Sequence, residues 1–200
     1  MEEVRSFIAI ELPDELKAEL AQLQEKLKRG RSTGVKWVDP YGIHLTLKFL
    51  GNIVVDSIGG ITAAMEEAAQ GISPFHLEVK ELGAFPNLQR VQVVWVGLSG
   101  EVDKVVQLQK RIESKVAHLG FAPEARAFTP HMTLARLRNE ASSAERQRLG
   151  QLIAETKFEG KHAIQVDAIS LMRSQLTREG AIYSRISSVR LEKPLSTAAI

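Results

Sequence analysis

Two rhythms of apolar residues organise the chain. Val4 to Leu12 is an almost continuous apolar run, with Phe7, Ile8, Ala9 and Ile10 in sequence, as expected of a buried strand, and Pro13 breaks it. Leu16, Leu20, Leu23 and Leu27 then recur at three- and four-residue intervals, which predicts an amphipathic helix. Gly30 closes that pattern after Lys26, Lys28 and Arg29, a basic cluster suited to the negative end of a helix dipole.

The same reading continues downstream. A short strand is predicted over Val35 to Val38, turn chemistry at Asp39-Pro40-Tyr41-Gly42, and a strand from Ile43 to Leu50 ending at Gly51. A helix over Ile58 to Ala69, weakened by Gly59 and Gly60, precedes a strand from Phe75 to Leu82, and Phe85-Pro86-Asn87 turns into another from Val91 to Leu98. A helix near Val102 to Leu119, a strand ending in Ala127-Phe128, the turn Thr129-Pro130 and a strand from His131 to Leu137 follow. A helix over Ser142 to Thr156 and strands around Ala163 to Met172 and Tyr183 to Leu191 complete the order, with Pro194 to Ile200 reading as a frayed tail.

A shift of 87 residues lays His44 on His131, Thr46 on Thr133 and Leu47 on Leu134. It also overlays the strands near Phe7 and Val94 and the long helices after them. The chain therefore reads as one duplicated α+β unit over residues 1–193, with pseudo-repeats of about 1–87 and 88–193 and the tail 194–200. Mostly antiparallel sheets with helices outside fit this mixture of short turns and helical connections.

Residues two apart in a strand share a face, so His44 and Thr46 point one way, with Leu45 and Leu47 behind them. His131 and Thr133 do the same, with Met132 and Leu134 behind. The repeat predicts the two strands side by side in a central cleft, related by an approximate two-fold axis. Opening a cyclic phosphodiester needs a base to deprotonate water and an acid to protonate the departing ribose oxygen, and two histidines can divide those roles. Threonine hydroxyls can hydrogen-bond the non-bridging phosphate oxygens. Such a reaction needs no metal, because the ester ring is strained. A single His-x-Thr in a strand occurs by chance; two at matched places in a repeat do not read that way.

Trp37-Val38-Asp39-Pro40 followed by His44-Leu45-Thr46-Leu47-Lys48-Phe49-Leu50-Gly51, and Phe128-Thr129-Pro130-His131-Met132-Thr133-Leu134-Ala135-Arg136, resemble the 2H phosphoesterase superfamily. Within it they are most similar to the RNA 2',3'-cyclic phosphodiesterases once called 2'-5' RNA ligases, and Arg5 to Ile10, Phe85-Pro86-Asn87, Ser174-x-Leu176, Gly180 and Tyr183 extend the likeness. The resemblance implies a bilobal, LigT-like fold with both motifs lining the cleft, and hydrolysis of RNA-terminal 2',3'-cyclic phosphate to a 2'-phosphomonoester. It further implies His44 as proton donor, His131 as proton acceptor, Thr46, Thr133 and Arg136 on the phosphate, and neither cofactor nor metal. The near-symmetric pair does not by itself distinguish acid from base. A small cyclic nucleotide, an ADP-ribose cyclic phosphate or a 2'-5' oligonucleotide would suit the same site, and a non-catalytic RNA-end binding module is the reading from another class.

Strict alternation sets Arg136 opposite His131 and Thr133, so it reaches the cleft only through a bulge, a twist or the strand's end. Lys48 shares parity with His44 and is a secondary candidate for the cleft. Trp37, Tyr41, Phe49, Phe85 and Tyr183 are stacking candidates or core, while His76, His118 and His162 lack the motif and metal-site spacing.

Composition adds little. Lys and Arg number 26 against 24 Asp and Glu, so charge neither demands nor excludes RNA. The basic stretch Lys26 to Arg31, with Arg138, Arg146 and Arg148, reads as solvated helix faces. The absence of cysteine removes disulfides, thiolate metal sites and thiol nucleophiles. An acidic amino terminus without a basic and apolar leader, and apolar runs too short for a bilayer, lead to the expectation of a cytoplasmic protein with no membrane partner, and a monomer is expected alongside.

Overall fold

The structure is a computed structural model that describes residues 2–30, 34–178 and 180–192; the expected tail at 194–200 lies outside them, as does Arg31. Among the described residues the strands are β1 (Glu3–Glu11), β2 (Val35–Trp37), β3 (His44–Val54), β4 (Phe75–Phe85), β5 (Val93–Gly100), β6 (Met132–Leu137), β7 (Ile164–Val166), β8 (Ala168–Leu176) and β9 (Ala181–Arg190). The helices are α1 (Asp14–Lys28), α2 (Ile58–Ala69), α3 (Val102–Ala117) and α4 (Ser143–Glu155).

Each helix follows from its stripe. Leu16, Leu20, Leu23 and Leu27 of α1 are buried, as are Val105, Leu108, Ile112 and Val116 of α3. The α4 amino terminus is set by a capping box, in which Ser142 Oγ accepts from Glu145 N and Glu145 returns a carboxylate to Ser142 N. In α2 the two early glycines are outweighed by Ile61, Met65 and Ala68, which are fully buried.

The strands form two antiparallel sheets, ordered β3-β1-β8-β9 and β2-β6-β5-β4-β7, which line a central cleft with the helices outside. Neither sheet belongs to one half of the sequence. Strand β4 leaves the first half to pair with β5, β2 pairs with β6, and β8 and β9 come from the second half to extend β1. The repeat is thus threaded through both sheets.

One buried cluster, including Ile8, Leu16, Leu45, Leu108 and Leu134, joins the sheets to their helices. A second, small cluster of Phe7, Ala9 and Met172, with Tyr183 packed on it, lies apart from that core. Two expectations fail. Residues 121–131 form no strand, so Ala127-Phe128 is irregular; Ala122 instead offers its carbonyl to Lys48 Nζ at 2.6 Å. The stretch 163–172 is divided at Asp167, whose carbonyl accepts from Leu191 N at 2.7 Å, sending β7 and β8 to different sheets.

Candidate active site

On β1 and β3 the facing residues form successive rungs. Glu11 lies opposite His44, Ala9 opposite Thr46, Ile8 opposite Lys48 and Phe7 opposite Phe49, so Leu47 is an extra residue, a β-bulge. On β5 and β6, Trp95 lies opposite Thr133, Val94 opposite Ala135 and Val93 opposite Arg136, which makes Leu134 the extra residue. The bulges fall on Leu47 and Leu134, the same pair that the 87-residue shift matches.

A bulge reverses parity beyond it. Arg136 shares the face of Val93, hence of Trp95 and Thr133, so the bulge that strict alternation lacks carries its guanidinium to the side of the second motif. Lys48 goes the other way. It is 5 % exposed, and its ammonium binds Glu113 Oε2 at 2.9 Å and the Ala122 carbonyl at 2.6 Å, so it is no cleft residue. Its place on the open face passes to Phe49, which is 61 % exposed beside Phe7.

The bulges are held from the helices. Gln24 of α1, fully buried, donates from Nε2 to the carbonyls of Val38 at 2.8 Å and Leu134 at 2.9 Å, and Val38 N also donates to Leu134 O at 2.9 Å. In the other half Gln109 of α3 donates to Glu113, which receives Lys48 just past the Leu47 bulge.

Both imidazoles are fixed alike. His44 Nδ1 lies 2.7 Å from the Gly42 carbonyl and His131 Nδ1 lies 2.7 Å from the Thr129 carbonyl, in each case two residues upstream. A carbonyl only accepts, so Nδ1 carries hydrogen and donates; Nε2 is left to take or give the working proton. Among the described residues, neither the Thr46 nor the Thr133 hydroxyl has a hydrogen-bond partner in the protein.

The surroundings of the two rings differ. His44 stacks on Phe7 with centroids 4.5 Å apart and planes at 24°, and Tyr183 meets it edge-on at 5.0 Å. Gly42 packs so closely on the Tyr183 ring that a Cβ there would sit 3.1 Å from it. His131 has the edge of Phe85 at 4.9 Å, and Phe85 lies beside Trp95, whose indole covers Gly83 where any side chain would overlap it.

Burial lowers the pKa of both histidines, and their carbonyl bonds oppose it. Beyond that the charges diverge. The Glu11 carboxylate raises His44, with Lys17 acting weakly against it, whereas the Arg136 guanidinium lowers His131 further. Glu11 is itself pushed up by burial but held below its ordinary value by Arg185 and Ser170: Arg185 Nε and Nη2 bind its two oxygens at 2.7 and 3.0 Å, and Ser170 Oγ donates at 2.6 Å. Burial raises the Tyr183 phenol, and Arg136 and Arg5 pull it back, so the ring against His44 also feels the guanidinium that acts on His131. Tyr183 and Arg136 thereby link the two motifs electrostatically.

The structure brings His44, Thr46, Phe49 and Tyr183 together on one sheet face, and His131, Thr133, Arg136 and Phe85 on the other. Trp37 packs on the core, with the Lys28 ammonium 5.8 Å from its ring, and Tyr41 is exposed. His162 pairs with Glu19 at 3.1 Å, and Arg146 is spent on the carbonyls of Ala141, Val91 and Arg138. Sequence reasoning passed over Phe7, Glu11 and Gln24. A lone carboxylate at two-residue spacing from Phe7 and Ala9 in an apolar strand is a signal that marks Glu11; nothing local marks Gln24. Among the described residues no group of three His, Cys, Asp or Glu is placed to hold a metal ion, and no helix is long and apolar enough to cross a membrane.

The chain is similar to known proteins over nearly its whole length. RNA 2',3'-cyclic phosphodiesterases of Methanothermobacter thermautotrophicus and Methanocaldococcus jannaschii are 31 % and 32 % identical to the chain, over 94 % and 92 % of it and 99 % and 98 % of their own lengths. That of Thermotoga maritima is 30 % identical over 94 % of this chain and 96 % of its own. Among solved structures, TT0787 of Thermus thermophilus superposes with a TM-score of 0.76 at 26 % identity, covering 94 % of this chain and 98 % of its own. E. coli LigT complexed with 3'-AMP, at 24 % identity, shares the fold with a TM-score of 0.75 over 96 % of this chain and all of its own. The family model for LigT-like phosphoesterases matches twice in succession, over residues 10–95 and 96–183, and the chain therefore belongs to the LigT-like phosphoesterase family.

Proposed function

We propose that this protein hydrolyses RNA-terminal 2',3'-cyclic phosphate to a 2'-phosphomonoester by metal-independent acid and base catalysis. The observation that carries the proposal is the matched pair of Nδ1–carbonyl bonds, which leaves Nε2 of His44 and of His131 as the only ring nitrogens free for substrate. The relatives that are RNA 2',3'-cyclic phosphodiesterases support the substrate.

His131, next to Arg136, is the ring biased toward its neutral form and takes a proton from water as the water oxygen bonds phosphorus. Burial holds His44 below its ordinary value too, but the Glu11 carboxylate and the electron-rich face of Phe7 beside it work in favour of its cation, which suits it to the acid's role. It delivers its Nε2 proton to the 3'-oxygen as the P–O3' bond breaks. Thr46, Thr133 and Arg136 meet the charge on the non-bridging oxygens. With a ribose 5'-hydroxyl in place of water, the same groups would join RNA ends through a 2'-5' bond.

The test is an RNA oligonucleotide ending in 2',3'-cyclic phosphate, incubated with purified protein in the presence of chelator. The expected product carries a 2'-phosphate. Loss of activity on chelation, or a 3'-phosphate product, overturns the proposal.

A further inference from the structure

Arginines of this molecule divide into two groups. Arg185, Arg146 and Arg111 are bonded to protein oxygens. Arg5 and Arg173, among the described residues, have neither a hydrogen bond nor an ion pair, and both line a groove of about 420 Å³ outside the catalytic pair. Asn52 and Ser174 add neutral polar groups to its wall, and its one carboxylate, Glu3, is bonded by Asn52 Nδ2 at 3.4 Å. The lining thus carries two arginines against one engaged carboxylate and is cationic, with Arg5 on the parity of Phe7 and Arg173 opposite Ser6 on the other.

Its position follows from the rungs. On the open face of β1 and β3 the order is Glu11 with His44, Ala9 with Thr46, Phe7 with Phe49, then Arg5 with Asn52. At ~3.3 Å per residue, the four residues from Ala9 to Arg5 span roughly 13 Å. Charge at the phosphate site, aromatic rings, then charge again suits a nucleotide chain: reacting phosphate, sugar and base, and a phosphate one or two nucleotides upstream. Ser174 of the groove lies directly opposite Tyr183, whose ring meets His44, so one rung of β8 and β9 separates the groove from the site.

We infer that the Arg5–Arg173 groove is a subsite for an RNA backbone phosphate upstream of the reacting nucleotide. The inference rests on the cyclic-phosphate reading above and adds that the protein selects chains over mononucleotides. Binding energy gained there would be expressed at the reacting centre, raising kcat/KM for longer substrates.

The experiment compares kcat/KM for a nucleoside 2',3'-cyclic phosphate and a trinucleotide with the same cyclic end, in wild type, Arg5→Gln and Arg173→Gln. The wild type is expected to prefer the trinucleotide, and each substitution to cut the preference by about tenfold, as removal of a charge-assisted hydrogen bond would. The salt dependence of trinucleotide kcat/KM should flatten by ~0.7 log units per log unit of salt for each guanidinium removed. Equal wild-type rates on the two substrates, or a preference that survives both substitutions, overturns the subsite while leaving the catalytic reading intact. Inactivity on both substrates overturns the catalytic reading, and the subsite with it.

Discussion

The His44 and His131 half-sites share a plan and differ in what surrounds it. Each has a histidine bound through Nδ1 to a carbonyl two residues upstream, a threonine two residues downstream and a bulge at the following leucine. Past the bulge the first half presents Phe49 and the second Arg136. Beside the ring the first has the carboxylate of Glu11, the second that same arginine. The matched motifs share a backbone plan; divergence at a few side chains sets charges of opposite sign beside two imidazoles that burial lowers alike. A symmetric pair would have no reason to divide acid from base; the charges of opposite sign beside the two rings would supply one.

The largest effect expected from breaking the comparison is at the histidines. His44→Ala and His131→Ala should each lower kcat on cyclic-phosphate RNA by ~10²- to 10⁴-fold, measured by product formation under saturating substrate. Full activity in either variant would leave that half-site without a chemical role.

Next is Arg136, which the second half has and the first lacks. If Arg136 binds the phosphate as proposed, Arg136→Gln removes a charge-assisted hydrogen bond and should lower kcat/KM by about ten- to a hundredfold. Lys48, which sequence parity sends to the cleft, sharpens the contrast. Lys48→Met strands Glu113 in a largely buried setting and should cost about 3 kcal/mol in denaturant unfolding, with a smaller effect on catalysis than Arg136→Gln.

Gln24→Leu removes a donor from the carbonyls of Val38 and Leu134. About 1–3 kcal/mol of stability should be lost. Activity should fall toward the Arg136→Gln level, because the bulge that turns Arg136 to the open face loses its brace. The smallest effect is on stability against pH. Both histidines are held below their ordinary value near 6.5, so their neutral forms favour folding. That contribution is complete above pH 6.5 and is lost as pH falls through the folded values, which the midpoint of urea unfolding across pH 5 to 7.5 would follow.

Much of this fold is written in local pattern. The helical leucines of α1, the capping box of α4 and the paired His-x-Thr motifs are each legible within a few residues. What local pattern does not carry is long-range. The Leu134 bulge depends on a glutamine 110 residues away, and the Leu47 bulge on Lys48 meeting Glu113 and Ala122. In sequence both strands alternate cleanly, so Lys48 takes the parity of His44 and Arg136 the wrong parity for His131. The exchange of β4 and β8 between sheets is hidden for the same reason, since strand pairing is chosen by edges and core packing rather than by neighbours in the chain. Ala127-Phe128 has strand-like composition, but no sheet edge takes it up.

The division of labour between the two half-sites can be measured through the pH dependence of kcat/KM in wild type, Glu11→Gln and Arg136→Gln, with the imidazole titrations of His44 and His131 followed by NMR in the same proteins. Glu11→Gln removes the charge that raises His44, so the alkaline limb, where the acid loses its proton, should move to lower pH while the acid limb stays. Arg136→Gln removes the charge that lowers His131, so the acid limb, where the base becomes protonated, should move to higher pH. The opposite result, with Glu11→Gln shifting the acid limb and Arg136→Gln the alkaline one, would make His44 the base and contradict the account.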